Sequence, residues 1–142
     1  MFKQLVAGLA VLLCFGSIAA QDWFTVLGDP AQSQIDTAQL DTRSISRSNP
    51  GQNLLFRVTL AAPRQLGPEQ YQSYTSIISV DCDSRAIAHL YQVRFRGARW
   101  TGPKTSETFS QPKPMAFGGL PLELRKRIMT AACAARTSKR RP

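Results

Sequence analysis

Chemistry in this 142-residue chain would have to come from few groups: three cysteines, a single histidine, His89, and nine carboxylates. A cysteine nucleophile needs a free thiol beside a base, and a Cys/His metal site needs ligands gathered at short spacing. Cys14 lies within an N-terminal apolar run, which leaves Cys82 and Cys133 for the remainder of the chain. In an oxidising compartment such an isolated pair reads most simply as a disulfide; a reactive thiol or a metal site with His89 is the competing reading. The bond would close a loop of about 50 residues, for which chain entropy gives on the order of 4 kcal/mol. A serine triad would depend on His89, and no serine stands in a Gly-x-Ser-x-Gly setting. Asp36, Asp41, Asp81 and Asp83 could supply a carboxylate pair, but Asp41 precedes Thr-Arg-Ser, where hydrogen-bonding a turn is the commoner role. These residues point away from an enzyme.

The basic residues are the more suggestive set. The formal charge is +9, and loss of Lys3 with residues 1–20 would leave +8, a field that favours acidic partners. Arg94, Arg96 and Arg99 cluster with Phe95 and Trp100, and strand alternation puts Arg94 and Arg96 on the face opposite Phe95 as a candidate anion-binding stripe. Arg125, Lys126 and Arg127 form a second basic group, and Lys139 to Arg141 a third. A solvated basic face that binds nothing is the plainer alternative. The expected partner is an acidic macromolecule or a host or envelope protein, with a structural subunit of an envelope assembly as an alternative role. Nucleic acid is disfavoured, since no recognition motif accompanies the charge. No cofactor is required; haem or another small ligand is the alternative, with His89 and Tyr91 as contacts because alternation sends both to one strand face.

The elements that must carry these residues begin after an export signal. Lys3, the apolar run from Leu5 to Ile18 and small residues at Ser17, Ala19 and Ala20 predict cleavage after Ala19 or Ala20, making residues 1–20 a signal peptide. The run is about 14 to 16 residues, short of the roughly 20 that cross a bilayer, so no integral membrane protein is expected. Cys14 follows Val11-Leu12-Leu13, which is not a lipidation site. Residues 21–135 then form one exported domain, periplasmic or on the cell surface, and 136–142 a basic tail expected to be disordered.

Trp23 to Leu27 predicts a first strand, and Gln34 to Ser48 one or two more. Leu54, Phe56, Val58 and Leu60 alternate with Arg57 and Thr59, a strand expected to end at Ala61-Ala62-Pro63, with a loop through Gly67-Pro68. Tyr74–Cys82 and Ile87–Phe95 flank Asp83-Ser84-Arg85 as a hairpin, with Ile87, His89, Tyr91, Val93 and Phe95 alternating on the second arm. Gly97 to Gly119 predicts an irregular connection holding at most an edge strand. A helix opens at Leu120-Pro121 and lines up Leu122, Met129 and Cys133 beside Leu124 and Ile128, opposite Arg125, Lys126 and Arg127. The fold class is α+β: an antiparallel sheet of about five to six strands, with one C-terminal helix pinned to it by Cys82–Cys133.

Trp23 near the start, Asp41-Thr42-Arg43-Ser44-Ile45 before an apolar strand, Ser76 leading to Val80-Asp81-Cys82, and a final helix ending at Cys133 together resemble the surface-adhesin protein E-like family of small exported bacterial proteins. The resemblance spans Trp23 to Cys133. It implies a sheet of about six strands with a disulfide-held C-terminal helix, and a namesake that binds host extracellular-matrix proteins and haem. Trp23, Asp41, Ser44, Ile45, Cys82 and Cys133 match framework positions; the namesake's ligand-binding residues find no counterpart, and its lipid anchor has no matching motif.

Overall fold

A computed structural model describes residues 21–44, 51–115 and 122–137. Six strands follow one another as an antiparallel meander in sequence order: β1 Trp23–Leu27, β2 Thr37–Asp41, β3 Gly51–Leu66, β4 Glu69–Asp81, β5 Ala86–Phe95 and β6 Lys104–Pro114. One helix, α1 Glu123–Thr137, closes the described chain. The sheet and the helix are as expected, and Cys82 is bonded to Cys133 with 5.8 Å between their Cα atoms, tying α1 to the turn after β4.

The period-two pattern of β3 decides which side of the sheet becomes the core. Leu54, Phe56, Val58 and Leu60 are buried, joined by Leu40, Tyr74, Ile78, Val80 and Ile87 from the neighbouring strands. Helix α1 adds Leu124, Ile128, Met129 and Ala132 to this layer, residues three and four apart on one stripe. Leu122 does not join them: it precedes the helix and is 87% exposed. Leu120-Pro121, Ile45 and the tail from 138 onward lie outside the described residues, while the helix itself runs past Ala135 to Thr137.

Two elements are longer than the sequence pattern indicates. β3 continues through Ala61-Ala62-Pro63 to Leu66, and β4 starts at Glu69, so the expected loop is a two-residue turn around Gly67, whose φ of +57° suits glycine. Pro63 is tolerated because the ladder shifts register between Thr59 and Arg64, so no donor is required of it. Asp36 fastens this irregularity, accepting from the Ala61 amide at 2.8 Å and from Arg64 at 2.7 Å. β6 likewise occupies most of the expected irregular connection. It is an edge strand, where its prolines and lysines are acceptable.

Candidate binding surfaces

The face each candidate side chain occupies follows from register. On the core side, Ala38, Val58, Tyr74 and Arg94 form one cross-strand row, and Leu40, Phe56, Ser76, Gln92 and Glu107 another. On the opposite side, Thr25, Gln39, Arg57, Thr75, Val93 and Ser106 form a row beside that of Leu55, Ile77, Tyr91 and Thr108. Paired residues share a face, so these rows define a core face and an open face.

A β-bulge in β5 overturns two expectations about the first set. His89 pairs with Ile78 but Tyr91 pairs with Ile77, so two steps along β5 match one along β4 and Leu90 is the extra residue. The alternation therefore changes phase: Ile87 and His89 face the core, whereas Tyr91, Val93 and Phe95 face the open side. His89 and Tyr91 do not converge on a common ligand. Arg94, carried to the core face by the same bulge, is 7% exposed and leaves the expected stripe. Its Nε donates to Glu69 at 2.9 Å and its Nη1 to Glu107 at 3.0 Å and Gln92 at 2.8 Å. Burial alone would make this guanidinium easier to deprotonate, but its bonds to Glu107 and Glu69 more than offset that and hold it charged.

His89 is 9% exposed and its Nδ1 lies 2.7 Å from the hydroxyl of Ser76, which also donates to the carbonyl of Tyr91. Tyr74 and Phe109 ring the imidazole. Ser76 is 1% exposed, closed to any substrate, so the pair has a hydroxyl and an imidazole in contact without the access a nucleophile needs. Burial, aided by the charge of Lys113, pushes the His89 pKa down to about 4. The unfolded chain therefore binds a proton that the native state refuses between about pH 6.5 and about pH 4, and stability falls as pH drops through that window. At about 1.4 kcal/mol per pH unit the loss reaches about 3 kcal/mol. Urea titrations at pH 7, 6 and 5 should show this decline, and His89→Gln should flatten it; an identical slope in the variant would assign the decline to other groups.

The remaining basic residues fall in three places. Arg96 is exposed beside a small cleft with Glu69, Gln70, Pro103 and Thr105. Arg99 is exposed on a short 3-10 turn, Ala98–Trp100, where its φ is +51° and its amide donates to Thr59 Oγ1. Arg125, Lys126 and Arg127 all project from the exposed side of α1. Arg125 donates to the carbonyl of Arg85 at 2.7 Å. Arg127 donates to the carbonyl of Val26 at 3.2 Å, occupying part of the open edge of β1.

Lys126 and Arg127 form one wall of a groove of about 460 Å³ between α1 and β1. Its apolar lining comes from Phe24, Val26, Ala131 and Ala134, and Glu123 is its one acidic residue. Phe24 is 50% exposed there, although its cross-strand partner Leu40 is buried. A half-exposed aromatic beside two cations is a surface suited to an acidic, partly apolar segment. Among the described residues no cluster of three metal-ligating side chains occurs, and no helix is long and apolar enough to cross a membrane.

The open face holds an arrangement that sequence reasoning missed. The guanidinium of Arg57 lies 3.7 Å from the ring centre of Trp23 and 4.2 Å from that of Trp100. Alternation along β3 does place Arg57 away from the core, but nothing in the sequence brings residues 23 and 100 to it. Trp100 arrives on the 3-10 turn, held by its Nε1 to the carbonyl of Tyr74 at 3.2 Å and by its amide to Ser73 Oγ at 2.9 Å. Burial lowers the Arg57 pKa and nearby Asp41 opposes that shift.

A family model described as surface-adhesin protein E matches residues 23–134. No curated protein and no solved structure matches the chain.

Proposed function

The chain belongs to the surface-adhesin protein E family, and from that premise we propose that it is an exported, non-enzymatic binding protein that holds an acidic segment of a protein partner in the groove between α1 and β1. An adhesin-like role is what the family supports; the acidic protein partner rests on the groove. The observation that carries it is the joining of half-exposed Phe24 to Lys126 and Arg127 across one concave surface of a strongly basic chain. Apolar side chains of the partner would cover Phe24 and Ala131 while its carboxylates meet the two cations. Among the described residues, the thiols of Cys82 and Cys133 are consumed in the disulfide and Ser76 is closed off, which supports binding rather than catalysis.

The test is binding of purified extracellular-matrix proteins, and of a peptide alternating Asp or Glu with Leu, at two salt concentrations. Affinity should fall as salt rises toward about 0.15 M, where charges are screened beyond about 8 Å. Lys126→Glu should weaken binding by about tenfold and flatten the salt dependence. Phe24→Ser should weaken it without changing the salt slope. Binding that both variants leave unaltered would remove the groove from consideration.

A further inference from the structure

The Trp23–Arg57–Trp100 stack has the build of an anion site whose ligand position no group among the described residues fills. Arg57 Nε donates to Gln39 Oε1 at 2.9 Å. Gln39, only 5% exposed, is itself fixed by donating from its Nε2 to Thr25 Oγ1 at 3.1 Å. Both indoles lie against the guanidinium carbon, so its position is set by two rings and one hydrogen bond. Its two terminal nitrogens donate no hydrogen bond to any oxygen among the described residues. Asp41 stands close enough to influence the charge, but its Oδ1 is spent on the amides of Arg43 and, more weakly, Asp22.

A half-buried guanidinium with unused N–H groups is poorly hydrated, and its fork matches a group with two coplanar oxygens. The surroundings narrow the choice of ligand. Leu55, Ile77, Tyr91 and Val93 continue the open face beside the indoles, while Thr25, Gln39 and Thr75 lie in the Arg57 row. Flat aromatic and apolar surface interleaved with hydroxyl and amide groups suits a sugar ring, which has apolar C–H faces and a polar rim.

We propose that Arg57 and its two tryptophans form a binding site for a carboxylated sugar, the carboxylate bridging the two terminal nitrogens and the ring resting against an indole. This site lies on the sheet face away from α1 and stands or falls independently of the groove between α1 and β1. It also gives the 3-10 turn a role, since the turn carries Trp100 to the stack with left-handed backbone at Arg99 and at Trp100, φ +57°.

The chain contains two tryptophans, and both belong to the site, so intrinsic fluorescence reads it directly. The purified protein would be titrated with sialyllactose and with a hyaluronan tetrasaccharide, the two separating a sialic acid from a uronic acid source. Lactose is the neutral control and acetate the free-anion control. The expected result is a saturable change with at least one carboxylated sugar, with lactose and acetate at least about tenfold weaker. Arg57→Lys keeps the charge but loses the fork, and should weaken binding at least about tenfold. Trp23→Phe, with Trp100 as the remaining reporter, should weaken it too and covers the case in which Arg57→Lys folds poorly. No saturable response to either sugar, an equal response to lactose or acetate, or full binding in both variants would overturn the proposal and leave the stack as a clamp between β1 and the 3-10 turn.

Discussion

Truncating Arg94 to alanine is expected to destabilise the fold by about 3 kcal/mol, at the lower end of what breaking a buried ion pair costs. Arg94 bridges β4 and β6 through Glu69 and Glu107, and its removal leaves two carboxylates facing each other across the space it vacates. Their side chains are 23% and 42% exposed, so water can partly replace the lost partner, which is why the upper end of the range does not apply. Arg96→Ala, at an exposed neighbour two residues on, should change stability by less than about 0.5 kcal/mol. Urea denaturation of the two variants beside the parent checks the contrast. Equal midpoints would show that the Arg94 network holds nothing together. The comparison also bears on binding experiments: weakened adhesion in Arg94→Ala would report damage to the sheet and would not locate a ligand.

Removing the disulfide is expected to cost more than truncating Arg94. Cys82 and Cys133 are 51 residues apart, and opening a loop of that size returns to the unfolded chain entropy on the order of 4 kcal/mol. Domains of this kind are stable by about 5 to 15 kcal/mol, so the loss is a large share of the whole. The native contacts themselves survive the change, because Leu124, Ile128, Met129 and Ala132 still have the sheet to cover. A Cys82→Ser/Cys133→Ser double variant should therefore keep its far-ultraviolet dichroism at low temperature while its denaturation midpoint falls steeply. Parent protein treated with reductant should move to the same midpoint. Should the double variant prove as stable as the oxidised parent, helix docking alone would account for the attachment of α1 and the bond would be incidental.

These effects mark where local pattern and tertiary arrangement part company. Leu54, Phe56, Val58 and Leu60 announce both a strand and its buried face, because side chains one apart on a strand must point to opposite sides. The same rule misplaces Arg94 and pairs His89 with Tyr91, since a single extra residue at Leu90 reverses the phase for everything after it. A bulge depends on how β4 and β6 match β5, information that neither strand carries alone. β6 is legible only in part for a related reason: an edge strand has one neighbour and little burial, so its prolines and lysines break no rule while erasing the pattern that would reveal it.

The sequence by itself determined the antiparallel sheet, the amphipathic final helix and the cysteine pair that joins them, because each rests on short-range periodicity or on residue type. The tertiary structure alone decided which cations are surface and which are framework. It turned Arg94 inward to two carboxylates, set Lys126 and Arg127 beside Phe24, and brought Trp23 from β1 and Trp100 from the turn before β6 onto Arg57. A charge has no period of its own; its role follows from which distant groups the register of the strands and the packing of the helix put within reach.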